Sequence, residues 1–387
     1  MVAAMAGQMS AFEVALPGRI LFGRGKAAEA VAALVALGPR GMLVHGATPA
    51  RAEWLIAALR DAGVALTTRS CPGEPTLPML EAALAQARQS APDWVVAVGG
   101  GATLDLGKAV AALIPAPGGV MDHLEVVGRG LPLARPPLPF VALPTTAGTG
   151  AEATRNAVIG LPAHGRKVSL RDAAMLPRLA IVDPALTDHC PRAVTLASGL
   201  DALVQVIEPL VSSRATPFTD ALCRPVIAPG MAALMQLMVA EDRAARDRMA
   251  WTSLCGGIAL GNAGLGAVHG LAGVIGGLTG AAHGAICGAL IGPVLAHNSA
   301  CAEGEAADRF AEVRNLLAAP LGVGADAVPQ ALAAWARDAG LPGLVAQGLA
   351  PARHAEVAAA AQASSSMKGN PLVLDEATLC AILAEAG

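Results

Sequence analysis

An α/β N-terminal domain with a parallel, Rossmann-like sheet, followed by an all-α C-terminal domain, is the fold class the sequence predicts. Three observations lead there. Short aliphatic or β-branched runs alternate with longer helical runs over the first half of the chain. The β signal stops after Asp183-Pro184, and the remainder reads as Ala-, Leu- and Gly-rich helices joined by short turns marked by Pro or Gly. This shift in composition divides the 387 residues into a unit of 1–190 and a unit of 191–387, a length at which a core forms without disulfides.

In chain order, residues 19–22, 41–45, 64–68, 94–98, 140–143 and 179–182 read as strands. Between them, 27–37, 49–62 and 77–90 place apolar residues three and four apart and read as crossover helices. Aromatic residues are 2% of the chain and tyrosine is absent. The core must therefore be built from small aliphatic side chains and close backbone contacts, which suits the 44 glycines. A net charge of −3 offers no basic excess for a nucleic-acid backbone. The 54% hydrophobic and 15% charged composition is far from that of a disordered chain.

Seven scattered cysteines with no C-x-x-C pair argue against a disulfide framework or a cysteine zinc site and fit a reducing cytoplasm. The first 15 residues lack the basic start of a secretion signal. Residues 249–302 contain no Asp, Glu, Lys or Arg and exceed the length of a membrane span. Their histidines, asparagines and glycines, and the lack of a flanking basic cluster, favour buried helices of a chain with no membrane partner.

Two loops promise ligand chemistry. The strand at 94–98 runs into Gly99-Gly100-Gly101-Ala102-Thr103-Leu104-Asp105, and then a helix. Glycines between a strand end and a helix start bring backbone N–H groups and the positive end of the helix to an anion such as phosphate. The order is neither G-x-G-x-x-G nor the Walker pattern, so the spacing does not name the nucleotide. The strand at 140–143 leads into Pro144-Thr145-Thr146-Ala147-Gly148-Thr149-Gly150, whose hydroxyls present donors at a second strand end. Taken alone, that composition is more often ordinary turn chemistry.

In the helical half, Asp201 and Gln205 stand four apart and share a helix face. Downstream, His269 and His283 lie in the most apolar part of the chain. A histidine there is ordinarily a hydrogen-bonded core residue, but two of them with a helical aspartate point as well to a metal site.

Together these residues resemble the iron-containing, group III alcohol dehydrogenases of dehydroquinate-synthase-like architecture. The marks are Gly99-Gly100-Gly101 with Asp105 and Lys108, the 144–150 loop, Asp183-Pro184, Gly199 through Glu208, and His269 with His283. The resemblance implies an NAD- or NADP-dependent oxidoreductase that interconverts an alcohol and its aldehyde or ketone in a cleft between the two domains. It further implies that Gly99, Gly100, Gly101, Asp105, Thr145, Thr146, Thr149, Asn156 and Lys167 form the cofactor wall. Asp201, Gln205, His269 and His283 would hold a divalent metal, Fe or Zn. A homodimer or larger homo-oligomer acting on a small alcohol or carbonyl substrate is the implied working form.

The chain departs from the family pattern in four places. Gln205 stands where a histidine ligand is usual, and an amide oxygen is a weaker partner for Fe²⁺ or Zn²⁺ than imidazole. Gly273 takes the place of a histidine associated with proton transfer. Ala102 replaces a serine, with the Thr103 hydroxyl adjacent as its substitute. His45-Gly46 replaces the acidic residue that holds the ribose 2′-hydroxyl; with Arg51 close behind, this opens the site to a 2′-phosphate and so to NADPH. The segment 46–49 is also similar to maleylacetate reductases, in which case Gln205 and His269 would donate to the substrate oxygen without a metal, and Lys167, Arg155 or Arg171 would meet a substrate carboxylate. A nucleotide-binding relative without catalysis is the third reading of the same departures.

Overall fold

The computed structural model describes residues 11–387. Its strands are β1 (Ile20–Phe22), β2 (Arg40–His45), β3 (Ala65–Ser70), β4 (Trp94–Gly99), β5 (Phe140–Pro144), β6 (Asn156–Leu161), β7 (Arg166–Arg171) and β8 (Leu179–Val182). Six form one sheet in the order β1-β8-β5-β4-β2-β3, every neighbour parallel. The chain passes from β2 outward to β3, then returns across β2 to β4 and continues the other way. The strand order therefore reverses between β2 and β4, and such a switch point leaves a crevice at the carboxyl ends of the two strands. Those ends are His45 and Gly99.

The helices of this unit are α1 (Ala30–Val35), α2 (Glu53–Asp61), α3 (Leu77–Ser90) and α4 (Gly101–Leu113). Alternating side chains of β4 build two cores: Trp94, Val96 and Val98 pack with α1 and α2, while Val95 and Ala97 pack with α3 and α4. Gly107 lets α4 lie on the sheet, because a Cβ there would come within 2.8 Å of Ala97 Cβ. Both sheet faces are covered, as a parallel sheet requires.

Two features differ from the sequence reading. The helices expected at 27–37 and 49–62 each begin with a 3-10 turn, Lys26–Glu29 and Pro49–Arg51, because Gly25 (φ +82°) and Pro49 shape their starts. More consequentially, β6 and β7 form an antiparallel hairpin outside the main sheet. Ala157, Ile159, Leu161, Val168 and Leu170 are its buried face, and Gly165 (φ +56°) makes its turn.

The C-terminal unit comprises α5 (Arg192–Val211), α6 (Pro217–Val239), α7 (Arg243–Ala263), α8 (Ala267–Thr279), α9 (His283–Cys301), α10 (Gly304–Leu321), α11 (Val328–Asp338), α12 (His354–Gln362) and α13 (Glu376–Glu385). α5 is the central helix, packed by α6, α7 and α9. Helices α5, α6 and α9 are long and apolar enough to cross a membrane, yet 83% of the most apolar window of α5 and 61% of that of α9 are buried inside the bundle. The uncharged run at 249–302 is broken at 264–266, where α7 and α8 meet at 99°, and again at 280–282.

Candidate active site

The two units meet through glycines. A Cβ on Gly148 would come within 2.7 Å of Ser198 Cβ on α5, and one on Gly150 within 2.3 Å of Gly257 Cα on α7. The threonine-rich loop after β5 is thereby pressed against the helical unit one turn from Asp201. On the other side, Gly277 of α8 lies against the backbone of Gly165–Lys167 at the hairpin turn.

At this junction Asp201, His269 and His283 converge, as expected from sequence. Asp201 Oδ1 lies 3.3 Å from His269 Nε2 and 3.9 Å from His283 Nε2, and the imidazole centroids are 5.3 Å apart. Gln205 follows Asp201 by one turn of α5 and is 2% exposed. Asp201 Oδ1, Gln205 Oε1 and His269 Nε2 are all buried without a hydrogen-bond partner. Orphaned buried polar atoms are costly, and three of them at one place, two oxygens and a ring nitrogen, form a donor set suited to a divalent cation.

Two members of the site escaped the sequence reading of roles. Glu208, one further turn along α5, places Oε2 2.7 Å from His269 Nδ1 and accepts the Val268 N–H at Oε1, also at 2.7 Å. With Nδ1–H donating to a carboxylate, the ring presents its Nε2 lone pair to the site once a metal displaces the second proton, the arrangement of metal-binding histidines. The second is Cys287, whose Sγ is 3.6 Å from His283 Nε2 one turn earlier on α9. One ligand atom each from Asp201, His269, His283 and Cys287 all lie within 4.8 Å of one another. The Glu208 signal was its place three residues past Gln205 on the same helix; that of Cys287 was its i, i+4 spacing from His283.

Electrostatics follow from this crowding. Burial works against a charged His269, but the carboxylates of Glu208 and Asp201 outweigh it and push the metal-free imidazole up to about 10. Burial raises the Asp201 carboxyl, and the neighbouring His269 and His283 reverse this to a net lowering. Burial holds His283 below its ordinary value, opposed by Asp201 and assisted by the positive charges of His269 and Lys167. Burial pushes the Cys287 thiol well above its ordinary value.

The nucleotide side is equally specific. Helix α4 starts at Gly100 with no side-chain cap, leaving its first N–H groups and positive end directed at the crevice. Space beside Gly100 is bounded by Thr146 Oγ1, 3.3 Å from the position of a Cβ. Gly99 and Gly101 serve a different purpose. Their missing Cβ positions are filled by Thr103 and Thr149, at 2.5 Å and 2.4 Å, so Gly99 closes the turn on itself and Gly101 locks it to the loop after β5. Thr103 is 3% exposed and packs against Gly99. Thr145 is buried, and Thr149 Oγ1 accepts the Ala151 N–H at 3.3 Å.

Asp105 accepts the Val158 N–H of β6 at 3.0 Å and anchors the hairpin to α4. Burial pushes its carboxyl up to about 6, against the pull of Lys108. Lys108, 1% exposed, donates to Ala151 O at 2.7 Å, Thr154 Oγ1 at 2.8 Å and Asn156 O at 2.8 Å. Asn156 thus meets the α4 staple through its backbone. Lys167, on β7, has its Nζ buried without a hydrogen bond, 3.5 Å from Glu74 Oε2 and beside Gly276 of α8. Its positive charge reaches His283 of the histidine cluster. At the end of β2, His45 Nδ1 meets Gly46 O at 2.8 Å, and the exposed Arg51 has no ion-pair partner among the described residues.

Residues 17–184 match the family described as iron-containing alcohol dehydrogenase, and residues 195–387 match the C-terminal region of that family. The chain is 35% identical over 328 residues to "Probable alcohol dehydrogenase EutG" of Salmonella typhimurium, covering 84% of this chain and 81% of the relative. It is 33% identical over 307 residues to 4-hydroxybutyrate dehydrogenase of Cupriavidus necator, covering 78% and 79%. Among solved structures, 1,3-propanediol oxidoreductase superposes with a TM-score of 0.86 at 27% identity, over 98% of this chain and 100% of that one. An alcohol dehydrogenase from Oenococcus oeni gives a TM-score of 0.87 at 26% identity, over 97% and 100%.

Proposed function

The chain belongs to the iron-containing alcohol dehydrogenase family and is an alcohol oxidoreductase of that type, and on that premise we propose that it interconverts an alcohol and its aldehyde or ketone with NAD or NADP, using a divalent metal held at Asp201, Gln205, His269 and His283. The observation that carries the metal is the set of three buried, partnerless donor atoms on Asp201, Gln205 and His269 beside His283. When bound, the ion supplies Lewis acidity toward the substrate oxygen and the nicotinamide supplies the hydride chemistry.

The chain's own groups do the positioning. The α4 N-terminus and the Gly100–Thr146 gap receive the pyrophosphate. Lys167 offers a buried ammonium to a ribose hydroxyl or to a polar group on the substrate. Glu208 keeps the His269 proton on Nδ1, so that Nε2 faces the substrate side. Gly273 offers no side chain as a proton acceptor, and a Cβ there would meet nothing within 4 Å, so the substrate proton passes to solvent water.

The test is turnover of nicotinamide, followed by absorbance, across alcohols, aldehydes and keto acids with Fe²⁺, Zn²⁺ or Mn²⁺ supplied. Activity that disappears on chelation and returns with metal is expected. Activity that survives exhaustive chelation supports the maleylacetate-reductase-like alternative, in which Gln205 and His269 donate to the substrate oxygen. Nucleotide binding with no turnover under any condition overturns both.

A further inference from the structure

We propose that Cys287 Sγ is itself a ligand of the metal at this site, taking the coordination place that the neutral amide of Gln205 fills poorly, and that the site therefore prefers a thiophilic ion such as Zn²⁺ over Fe²⁺. The inference rests on the proposed metal site and deepens it.

Geometry is the first argument. A tetrahedral ion with nitrogen and oxygen ligands at about 2.0–2.2 Å and sulfur at about 2.3 Å places its ligand atoms about 3.3–3.6 Å apart. The observed separations are 3.3 Å for Asp201 Oδ1 to His269 Nε2, 3.6 Å for Cys287 Sγ to His283 Nε2 and 3.9 Å for Asp201 Oδ1 to His283 Nε2. All four atoms fall within 4.8 Å of one another.

The second argument is independent of the cysteine. Asp201 Oδ1 and His269 Nε2 are buried with no hydrogen-bond partner, on residues 1% and 6% exposed. They point into the same space that Cys287, fully buried, borders from α9. A thiol packed only as a small hydrophobe has no need of such neighbours.

Donor softness is the third argument. On coordination the thiol proton passes to solvent and sulfur becomes a soft anionic donor, which favours zinc over ferrous iron. Gln205 Oε1 then remains available to the substrate hydroxyl.

X-ray absorption at the zinc edge of the zinc-loaded full chain is the deciding measurement. A sulfur shell at about 2.3 Å beside the nitrogen and oxygen shell is expected, and it disappears in Cys287→Ser and Cys287→Ala. Zinc affinity in both variants falls by more than about 100-fold, beyond the loss caused by removing a residue that only orients a ligand. With Fe²⁺ and Zn²⁺ offered together without oxygen, the wild type fills with zinc, and in the Ser variant the zinc-to-iron ratio narrows to that of a site with nitrogen and oxygen donors alone. Zinc bound with only nitrogen and oxygen neighbours overturns the cysteine assignment and leaves the metal site standing. Zinc content at background overturns both. The wild-type spectrum decides even if a variant fails to fold.

Discussion

Replacing Glu208 by glutamine keeps the length of the side chain and removes the charge that orients His269. The carboxylate accepts two N–H groups, from His269 Nδ1 and Val268, each at 2.7 Å. An amide has one acceptor oxygen and turns its NH₂ toward the other donor, so one of the two bonds is lost. A hydrogen bond to a charged group is worth about 1.5–3 kcal/mol, which at about 1.4 kcal/mol per factor of ten corresponds to about 10- to 150-fold in affinity. The general cost of losing the carboxylate behind a metal-binding histidine, about 10–100-fold, agrees. Zinc affinity of Glu208→Gln, read by competition with a chromophoric chelator, should weaken by that amount. In the metal-free protein the His269 titration, followed by NMR, should also fall from about 10, because a carboxylate that raises it has gone. A simple packing defect would lower the melting temperature without moving that titration. Affinity within about threefold of wild type, with the His269 titration unmoved, would refute the positioning role.

Three further outcomes follow from the same structure. Because His269 stays protonated up to about 10 in the metal-free protein, a metal must displace that proton, and zinc affinity should rise by about tenfold per pH unit between pH 7 and 9 for each proton released; calorimetry in buffers of different ionisation enthalpy counts the protons, and a flat pH dependence contradicts the assignment. Lys108→Met leaves Ala151 O, Thr154 Oγ1 and Asn156 O without their donor. This is offset in part by relief of the burial that pulls the ammonium down to about 8; a net loss of about 2–4 kcal/mol is expected in urea unfolding, with weaker nucleotide binding because the staple holds both loops. Arg51→Glu should raise the KM for NADPH by about tenfold or more and leave that for NADH nearly unchanged, and equal effects on both cofactors would remove Arg51 from the 2′-phosphate site.

The fold was legible because its signals are local. Apolar runs of four to six residues such as Trp94–Gly99 are buried on both faces, and their spacing by helical segments admits a parallel sheet. The hairpin of β6 and β7 is absent from the strands the sequence predicts, although its signal is equally local: Ala157, Ile159 and Leu161 alternate with outward residues, and Pro162 and Gly165 mark the turn. The Asp105 carboxylate is occupied by the hairpin backbone at Val158, 53 residues along the chain, a contact that no local pattern shows.

The site was legible in part for a different reason. Histidine and aspartate in apolar helices stand out against their surroundings, so Asp201, His269 and His283 could be named from the chain alone, while partners that complete a set only in three dimensions could not. Glutamate on a helix and cysteine in a core each have an ordinary explanation, solvation for one and packing for the other. What removes the ordinary explanation is the company they keep: Glu208 is 5% exposed and spends both oxygens on the His269 turn, and Cys287 stands beside donor atoms that nothing in the protein satisfies. Read in isolation, Gln205 looks like a weakened site. On the proposal that Cys287 is a ligand, the sulfur on α9 supplies the donor that the amide on α5 replaces poorly, and the two positions are tested together by the zinc affinities of the Cys287 variants.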